Sequence, residues 1–237
     1  VRSMEDTIVK IVDLENEINR DIDRLVDLKA EARRLIGQVK EPDQQLVLEL
    51  RYLCYKPWSE IMVELGCSEP TVYRLHGEAL KKIVEESGAD TIIHTAAISD
   101  TGLCQQKPEW SEKVNVDGCV HLAKACREVG AKLLICSSDQ VYSGSAFPGP
   151  HKEGETVTPN NVYGSQKRRG EIRALEIWPE TVCLRLAWMY ARDTLPGDRG
   201  HFLAQLKEAL KDPEKILSWP VRDRRGITDV ESVVKNL

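Results

Sequence analysis

The sequence has little of several features that mark specialised classes of protein. Its 237 residues include only two Phe, neither before residue 147, and aromatic residues make up 5% of the chain. No uninterrupted apolar run reaches the length of about 18 residues that a membrane-spanning helix needs, and the mean hydropathy is -0.37. The seven cysteines include no CxxC pair. This pattern predicts reduced thiols in a cytoplasmic protein, without a zinc site and without a membrane partner.

The charge is distributed unevenly between the two ends of the chain. Residues 1–86 contain 13 Lys and Arg against 18 Asp and Glu, whereas residues 87–237 contain 20 of each. A change of composition along a chain of this length favours two modules over one. We therefore predict a helical domain at 1–86 and a second domain at 87–237.

Residues 4–39 predict one long amphipathic helix. They contain no Pro, and their apolar residues recur at alternating steps of three and four, with one slot of the repeat taken by Asp21 and Ile22 beside it. Two partners for this apolar stripe are open, a helix of the same chain or a second copy in a homodimer. The stripe consists of Ile11, Leu14, Ile18, Leu25, Leu28, Ala32, Leu35 and Val39.

Further helices are predicted up to residue 86. A second helix spans residues 44–54, and a third spans 58–65 with Ser59 as its N-cap. After a short turn with Gly, Ser68 is placed to cap a fourth helix that has Pro70 in its first turn. A short helix, a tight turn and a second helix predict a helix-turn-helix. Its expected buried residues are Ile61, Leu65, Val72, Leu75 and Ala79.

The stretch LELRYLCYKPWSEIMVELGCSEPTVYRLHGEALKKI resembles the region-four helix-turn-helix of sigma-type factors. It is more similar still to small phage regulators that join this motif to a long N-terminal helix, a resemblance covering residues 4–83. The resemblance implies that the last helix enters the major groove of DNA. DNA affinity depends on neutralising phosphates and this segment is acidic, so a helical hairpin for protein contacts stays open as an alternative. The implied DNA-binding residues are Glu69, Thr71, Tyr73, Arg74, Lys81 and Lys82.

After residue 87, short apolar runs alternate with helical patterns. Strands are predicted at 90–94, 132–136 and 181–186, and helices at 112–129 and 162–175. This alternation predicts an α/β fold with a parallel sheet, whose functional residues lie at the carboxyl ends of the strands.

The strongest chemical signal is the pair Tyr163 and Lys167, four residues apart on a predicted helix and therefore on one face. An ammonium group beside a phenol favours the phenolate and lowers the pKa of the Tyr. Such a Tyr can donate a proton to a carbonyl oxygen whose carbon accepts a hydride. Ser138, at the end of a predicted strand, is placed to orient that oxygen.

The stretches DTIIHTAAISDTGLCQQKPEWSEKVNVDG, AKLLICSSDQVYSG, NNVYGSQKRRGE and TVCLRLAWMY resemble the extended short-chain dehydrogenase/reductase family. They are most similar to its dTDP-4-dehydrorhamnose reductase branch, which reduces nucleotide-linked 4-keto sugars. The resemblance implies a Rossmann-like sheet, an NAD or NADP cofactor, and a nucleotide-sugar substrate. It implies catalytic roles for Tyr163, Lys167, Ser138 and Asn115, and cofactor contacts for His94, Ala96, Ala97, Tyr163, Lys167 and Arg185.

One departure from that family is large. Its members begin with a strand, a GxxGxxG loop and a helix, and the loop cradles the cofactor pyrophosphate at the helix N-terminus. Here the helical segment stands in that place, and no such glycine pattern follows a strand. We therefore expect an incomplete parallel sheet with an open edge at the strand 90–94, weak dinucleotide binding and impaired catalysis. The substrate-binding end is also expected to be cut short at Leu237.

Three hypotheses remain open. The chain is a reductase-derived domain, active or vestigial, fused to a DNA-binding module. Alternatively it is a DNA-binding regulator whose second half senses a nucleotide sugar or serves as a scaffold. In the third hypothesis, the chain is an accidental junction of two gene fragments.

Overall fold

The computed structural model describes residues 4–147, 149–190, 210–211 and 226–236. The chain divides into two compact units, Val1–Ile92 with His121–Ala131, and Ile93–Val120 with Lys132–Leu237. The boundary predicted between residues 86 and 87 stays a prediction. The stretch HFLAQLKEAL, to which the reductase resemblance extends weakly, lies outside the described residues except for its last residue.

The first unit is helical, as the sequence predicted. The long N-terminal helix is present as α1 (Met4–Ile36), followed by α2 (Pro42–Leu48), α3 (Trp58–Leu65) and α4 (Glu69–Ser87). The helix predicted over 44–54 is present from Pro42 to Leu53, but its second half, Glu49–Leu53, is π-helical rather than α-helical.

The chain turns sharply between α3 and α4. Gly66 ends α3 with a φ of 59°, a left-handed conformation that glycine adopts without strain. The predicted cap at Ser59 was wrong, since Pro57 holds the N-cap position of α3. Ser68 does hold the N-cap position of α4, but its hydroxyl lies 3.0 Å from the Thr71 hydroxyl, and it caps no backbone N–H.

Two apolar clusters form the core of these helices. One consists of Ile36, Val39, Leu48 and Ala79, and the other of Val47, Leu50, Ile61 and Val72. Of the five residues predicted to be buried, Ile61, Val72 and Ala79 are fully so. Leu65 and Leu75 are only half-buried at the margin of the second cluster.

The residues after α4 form the α/β part of the chain. Among those that the structure describes, its larger parallel sheet has three strands in the order β1 (Thr91–His94), β2 (Lys132–Ser138) and β3 (Val182–Leu186). β2 and β3 run parallel, from Leu134 opposite Val182 to Ser138 opposite Leu186. Within the described residues β1 is an outer strand of this sheet. A second, two-stranded parallel sheet consists of β4 (Trp188–Tyr190) and β5 (Ile227–Asp229). The α/β class and the small parallel sheet are confirmed.

The helices between these strands differ in one respect from the prediction. The helix expected over 112–129 is interrupted by a π-helical turn, Lys113–Asp117, between α6 (Pro108–Glu112) and α7 (Gly118–Val129). The remaining helices within the described residues are α5 (Thr101–Gln106), α8 (Val162–Ile177) and α9 (Val230–Asn236), with a 3₁₀ turn at Asp139–Tyr142. Of the helices described, none is long and apolar enough to cross a membrane.

Candidate functional site

The candidate site is built on one buried face of α8. Residues 163, 164, 166, 167, 170, 171 and 174 are buried at helical spacing. Two glycines let neighbouring backbone approach this face. A Cβ at Gly164 would collide with the Gln140 carbonyl oxygen, and one at Gly170 would lie 2.8 Å from the Asn115 carbonyl oxygen. The helix therefore packs directly against the 3₁₀ turn and the π-helical turn.

Tyr163 lies in the first turn of α8 and is 8% exposed. Asn161 fixes the start of the helix, because its Oδ1 accepts a hydrogen bond from the Gly164 N–H at 2.8 Å. Burial raises the pKa of Tyr163, and a hydrogen bond with Ser138 opposes that rise without cancelling it. Ser138 ends β2, and its Oγ accepts a hydrogen bond from the Gln140 N–H at 3.2 Å. The structure thus brings together the phenol and the hydroxyl that the sequence analysis paired.

Lys167 lies one turn further along the same face and is 4% exposed. Its ammonium donates a hydrogen bond to the Cys136 carbonyl oxygen of β2 at 2.7 Å, and burial lowers its pKa. The expectation that Lys167 lowers the pKa of Tyr163 was wrong for this structure. The pKa of Tyr163 is raised by burial, and among the groups that shift it are Ser138 and Asp139, not Lys167.

Asn115 lies in the π-helical turn and is 1% exposed. Its Oδ1 accepts a hydrogen bond from the Ile98 N–H at 2.8 Å, and its Nδ2 donates to the Gln166 Oε1 at 2.9 Å. Gln166 in turn donates to the Ser111 hydroxyl and to the Pro108 carbonyl oxygen, each at 2.8 Å. Asn115 therefore ties the loop after β1 to α8. Gln166 was not among the predicted site residues, although its place three residues after Tyr163 puts it on the same helix face.

His94 ends β1 and is 8% exposed. Burial, together with the nearby charge of Lys167, lowers its pKa to about 4, so the imidazole is neutral at neutral pH. Its buried Nε2 has no hydrogen-bond partner among the described residues. The same nitrogen would lie 3.6 Å from a Cβ at Gly118. Ala96 and Ala97 follow in the loop at the carboxyl end of β1, the first exposed and the second half-buried.

A buried carboxylate that was not among the predicted site residues lies one turn after Lys167 on α8. Glu171, 1% exposed, accepts hydrogen bonds from the Ser137 hydroxyl at 2.5 Å, from Arg168 at 3.0 Å and from the Arg185 Nη2 at 2.8 Å. Burial alone would raise its pKa, but the hydrogen bonds from Arg185 and Ser137 lower the pKa below its usual value. Arg185, expected at the cofactor, here binds Glu171 and also donates to the Tyr142 hydroxyl at 2.5 Å.

The residues expected to face DNA are mostly engaged within the chain. Arg74 pairs with Glu78 at 2.8 Å, Lys82 with Glu85 at 2.6 Å and Lys81 with Glu128 at 2.5 Å. The expectation that four residues of α4 face outward holds only for Arg74, which is exposed. Tyr73 packs against the Trp58 ring at 5.0 Å between centroids, and Glu69 and Thr71 are half-buried.

The described residues contain no group of three or more His, Cys, Asp or Glu side chains that could hold a metal ion. Two families match the sequence. The RmlD substrate binding domain matches residues 51–234, and a protein family of unknown function, DUF1492, matches residues 1–84.

Individual relatives agree with the first match. A dTDP-4-dehydrorhamnose reductase of Streptomyces griseus is 38% identical over 152 residues, which cover 63% of this chain and 47% of that protein. The crystal structure of the Bacillus anthracis dTDP-4-dehydrorhamnose reductase in complex with NADP has a TM-score of 0.53 and 26% identity, covering 60% of this chain and 48% of that one. The chain thus spans about half the length of the relatives it matches.

A more distant structure supports the fold alone. The UDP-glucose 4-epimerase of Thermotoga maritima with UDP-glucose has a TM-score of 0.59 at 21% identity, covering 68% of this chain and 54% of that one. The α/β part therefore has the fold of nucleotide-sugar reductases and epimerases.

Proposed function

Since the chain belongs to the family of the RmlD substrate binding domain, we propose that its α/β part is a reductase domain for nucleotide-linked 4-keto sugars. The observation that carries the proposal is the arrangement around α8. There Tyr163, Ser138 and Lys167 are all less than 10% exposed, and Ser138 lies close enough to Tyr163 to oppose the rise that burial causes in its pKa. A surface Tyr and Lys at the same spacing would have neither the burial nor the Ser.

The nicotinamide cofactor of the family fits this chain at one end. Lys167 uses one of its three N–H donors on the Cys136 carbonyl oxygen, which leaves donors for the hydroxyls of a ribose beside Tyr163. The buried, unpartnered His94 Nε2 supplies a further polar atom at the carboxyl end of β1. The pyrophosphate end does not fit the family pattern, because described residues 4–90 contain no strand and no glycine-rich loop before a helix. We propose weak cofactor binding for this reason.

The chemical step assigned to the chain is a proton transfer. When bound, the cofactor supplies the hydride that adds to the carbonyl carbon of the sugar. Tyr163, protonated at neutral pH because burial raises its pKa, donates its phenolic proton to the carbonyl oxygen, which becomes a hydroxyl. The Ser138 hydroxyl orients that oxygen and, because it acts to lower the pKa of Tyr163, favours the phenolate left behind.

Asn115 is proposed as a positioning residue in this step. Its side chain accepts from the Ile98 N–H and donates to the Ile98 carbonyl oxygen and to Gln166, so it holds the loop after β1 against α8. This role differs from the direct part in the proton relay that the family resemblance implied.

Titration of the full chain with NADPH, followed by a turnover assay with dTDP-4-dehydrorhamnose, tests the proposal. Tyr163→Phe removes the proton donor and should lower turnover by about 10²–10⁴-fold while leaving cofactor affinity within a factor of about two. Tyr52→Phe, the same change in the helical unit, is the matched control and should leave both unchanged. A chain that binds no NADPH at millimolar concentration, or a Tyr163→Phe variant as fast as the wild type, contradicts the proposal.

Binding of DNA by α4 remains a second proposal, supported by the short turn between α3 and α4 and by the exposed Arg74. Because Arg74, Lys81 and Lys82 form ion pairs with glutamates, we expect DNA binding to be weak and strongly salt-dependent. A mobility shift on random duplex at low salt tests it. Binding that is absent, or unchanged in Arg74→Ala, contradicts it. We also propose that the chain dimerises through α1, for the reasons given next.

A further inference from the structure

The apolar stripe of α1 is uncovered over most of the helix. Between residues 7 and 31 every side chain that the structure describes is exposed. Ile11 is 57% exposed, Leu14 56%, Ile18 49%, Leu25 51% and Leu28 55%. Only the C-terminal end of the helix packs into the core of its own unit, where Ile36 is 5% exposed. We call these five residues the α1 stripe. No described residue of the same chain covers them.

We propose that the α1 stripe pairs with the same stripe of a second copy of this chain, in an antiparallel coiled coil with the two helices overlapping fully. A half-exposed Ile or Leu can bury on the order of 80 Å² more. With Ile8 at 53% and Ile22 at 53% beside the stripe, two helices together would bury roughly 1,100 Å², which reaches the size of a specific interface. The buried area is therefore sufficient for a dimer, and the charges beside the stripe determine whether the two helices run parallel or antiparallel.

The heptad repeat places charged residues along one flank of the stripe. With Ile11, Ile18 and Leu25 at the a positions, Lys10 and Arg24 take g positions, as does Glu31. In an antiparallel pair each g position faces a g position of the other helix. Full overlap sets Lys10 against Glu31 of the second copy, and the twofold axis repeats this pair, so that two attractive pairs result.

The other arrangements of the same stripe bring like charges together. If the antiparallel helices slide by one heptad in one direction, Lys10 faces Arg24 of the second copy. If they slide by one heptad in the opposite direction, Arg24 faces Arg24 of the second copy. In a parallel coiled coil g faces e, which sets Arg24 against Lys29. At the flanking positions whose side chains the structure describes, only full antiparallel overlap has no like-charged pair.

The one charged residue of the seam adds to this selection. Asp21 occupies a d position, and in the full overlap it lies opposite Ile18 of the second copy, in the two layers next to the twofold axis. A polar residue at a core position costs stability and fixes register, since displacing the helices would move it against different partners.

Sedimentation of the full chain over a range of concentrations, with charge-swapped variants, tests the proposal. Lys10→Glu replaces both attractive pairs by repulsive ones and should weaken the dimer by roughly tenfold. Adding Glu31→Lys to the same chain restores opposite charges and should return the dissociation constant to within about twofold of the wild type. Asp23→Lys, on the outer face of α1 at position f, is the matched control and should leave the dissociation constant unchanged.

Each alternative gives a different result. If the helices are parallel, Lys10→Glu weakens the dimer by facing Glu15, and Glu31→Lys does not rescue it. If the antiparallel helices are shifted so that Lys10 faces Arg24, Lys10→Glu tightens the dimer. Either result overturns the proposal, as does a chain that is monomeric at every concentration. Leu14→Asp should give a monomer, and circular dichroism of that monomer should show that the helices of the first unit are retained. If the Leu14→Asp variant is still a dimer with unchanged affinity, the interface lies elsewhere and the proposal is also overturned.

Discussion

Replacing Glu171 by Gln should destabilise the chain strongly, because it removes a buried negative charge from three donors. Glu171 is 1% exposed and accepts hydrogen bonds from Ser137, Arg168 and Arg185. Breaking a buried ion pair by removing one partner costs about 3–5 kcal/mol. Two features reduce this cost. The Arg185 side chain is 18% exposed, so water solvates part of its charge, and the Gln amide still offers one acceptor oxygen. We therefore expect the lower end, about 3 kcal/mol, which corresponds to a fall in Tm of roughly 6–12 °C.

Acid dependence gives this prediction a second readout. The pKa of Glu171 is lowered in the folded protein, so its ionisation contributes stability that is complete above the unfolded-state pKa of about 4.3. That contribution is lost as pH falls through the lowered folded-state pKa. The difference in unfolding free energy between wild type and Glu171→Gln should therefore shrink as pH falls below about 5.

Urea unfolding at several pH values measures both effects. Arg168→Met is the control, since it removes a single hydrogen bond from a side chain that is 34% exposed, and it should cost no more than about 1 kcal/mol. A Glu171→Gln variant within about 0.5 kcal/mol of the wild type at neutral pH, or a difference that does not depend on pH, would refute the reasoning that this carboxylate holds α8 to β2 and β3 through its charge.

Two further predictions concern packing and thiol reactivity. Gly77→Ala should lower stability by about 1–3 kcal/mol, because its Cβ would lie 2.5 Å from the His121 Nδ1, whereas Gly154→Ala, with no atom within 4 Å, should cost less than about 0.5 kcal/mol in the same thermal unfolding assay. Cys54 is exposed and Cys104 is fully buried, so an aromatic disulfide reagent should label Cys54 in the native chain before Cys104, and Cys54→Ser should remove the fastest phase; equal rates at both thiols would contradict the burial.

The strands and the catalytic face were predictable because their signals are local. An apolar run ending in Ser137 and Ser138 predicted β2, and a spacing of four on a helix placed Tyr163 and Lys167 on one face. The periodicity of α1 was equally readable, since one Pro-free stretch carried it. Residues whose partners are near in sequence, or fixed by helical spacing alone, could be placed without the structure.

The pKa of Tyr163 could not be predicted from spacing. Proximity to Lys167 on the helix suggested a lowered value, but the Lys ammonium turns to the Cys136 carbonyl oxygen. Burial then dominates and the pKa is raised. Which way a long side chain turns depends on backbone acceptors from another strand, and sequence spacing carries no information about them.

The cluster around Glu171 was missed for the same reason. Ser137 lies 34 residues before it and Arg185 lies 14 after it, on two different strands. The register that sets Ser137 opposite Arg185 in adjacent strands brings both to the carboxylate. In the sequence, a Glu on a helix followed by a strand with an Arg carries no signal of its own. Only the pairing of β2 with β3 brings Ser137 and Arg185 together at the Glu171 carboxylate.

The two family matches overlap over residues 51–84, which include α3 and most of α4. Within the first unit α4 serves two kinds of neighbour. Val72 and Ala79 pack into the core formed with the preceding helices, while Gly77 approaches His121 and Lys81 pairs with Glu128 on the second half of α7. An amphipathic helix can satisfy both sets because they use different positions along and around it. Gly88, in a left-handed conformation, ends α4 just before β1.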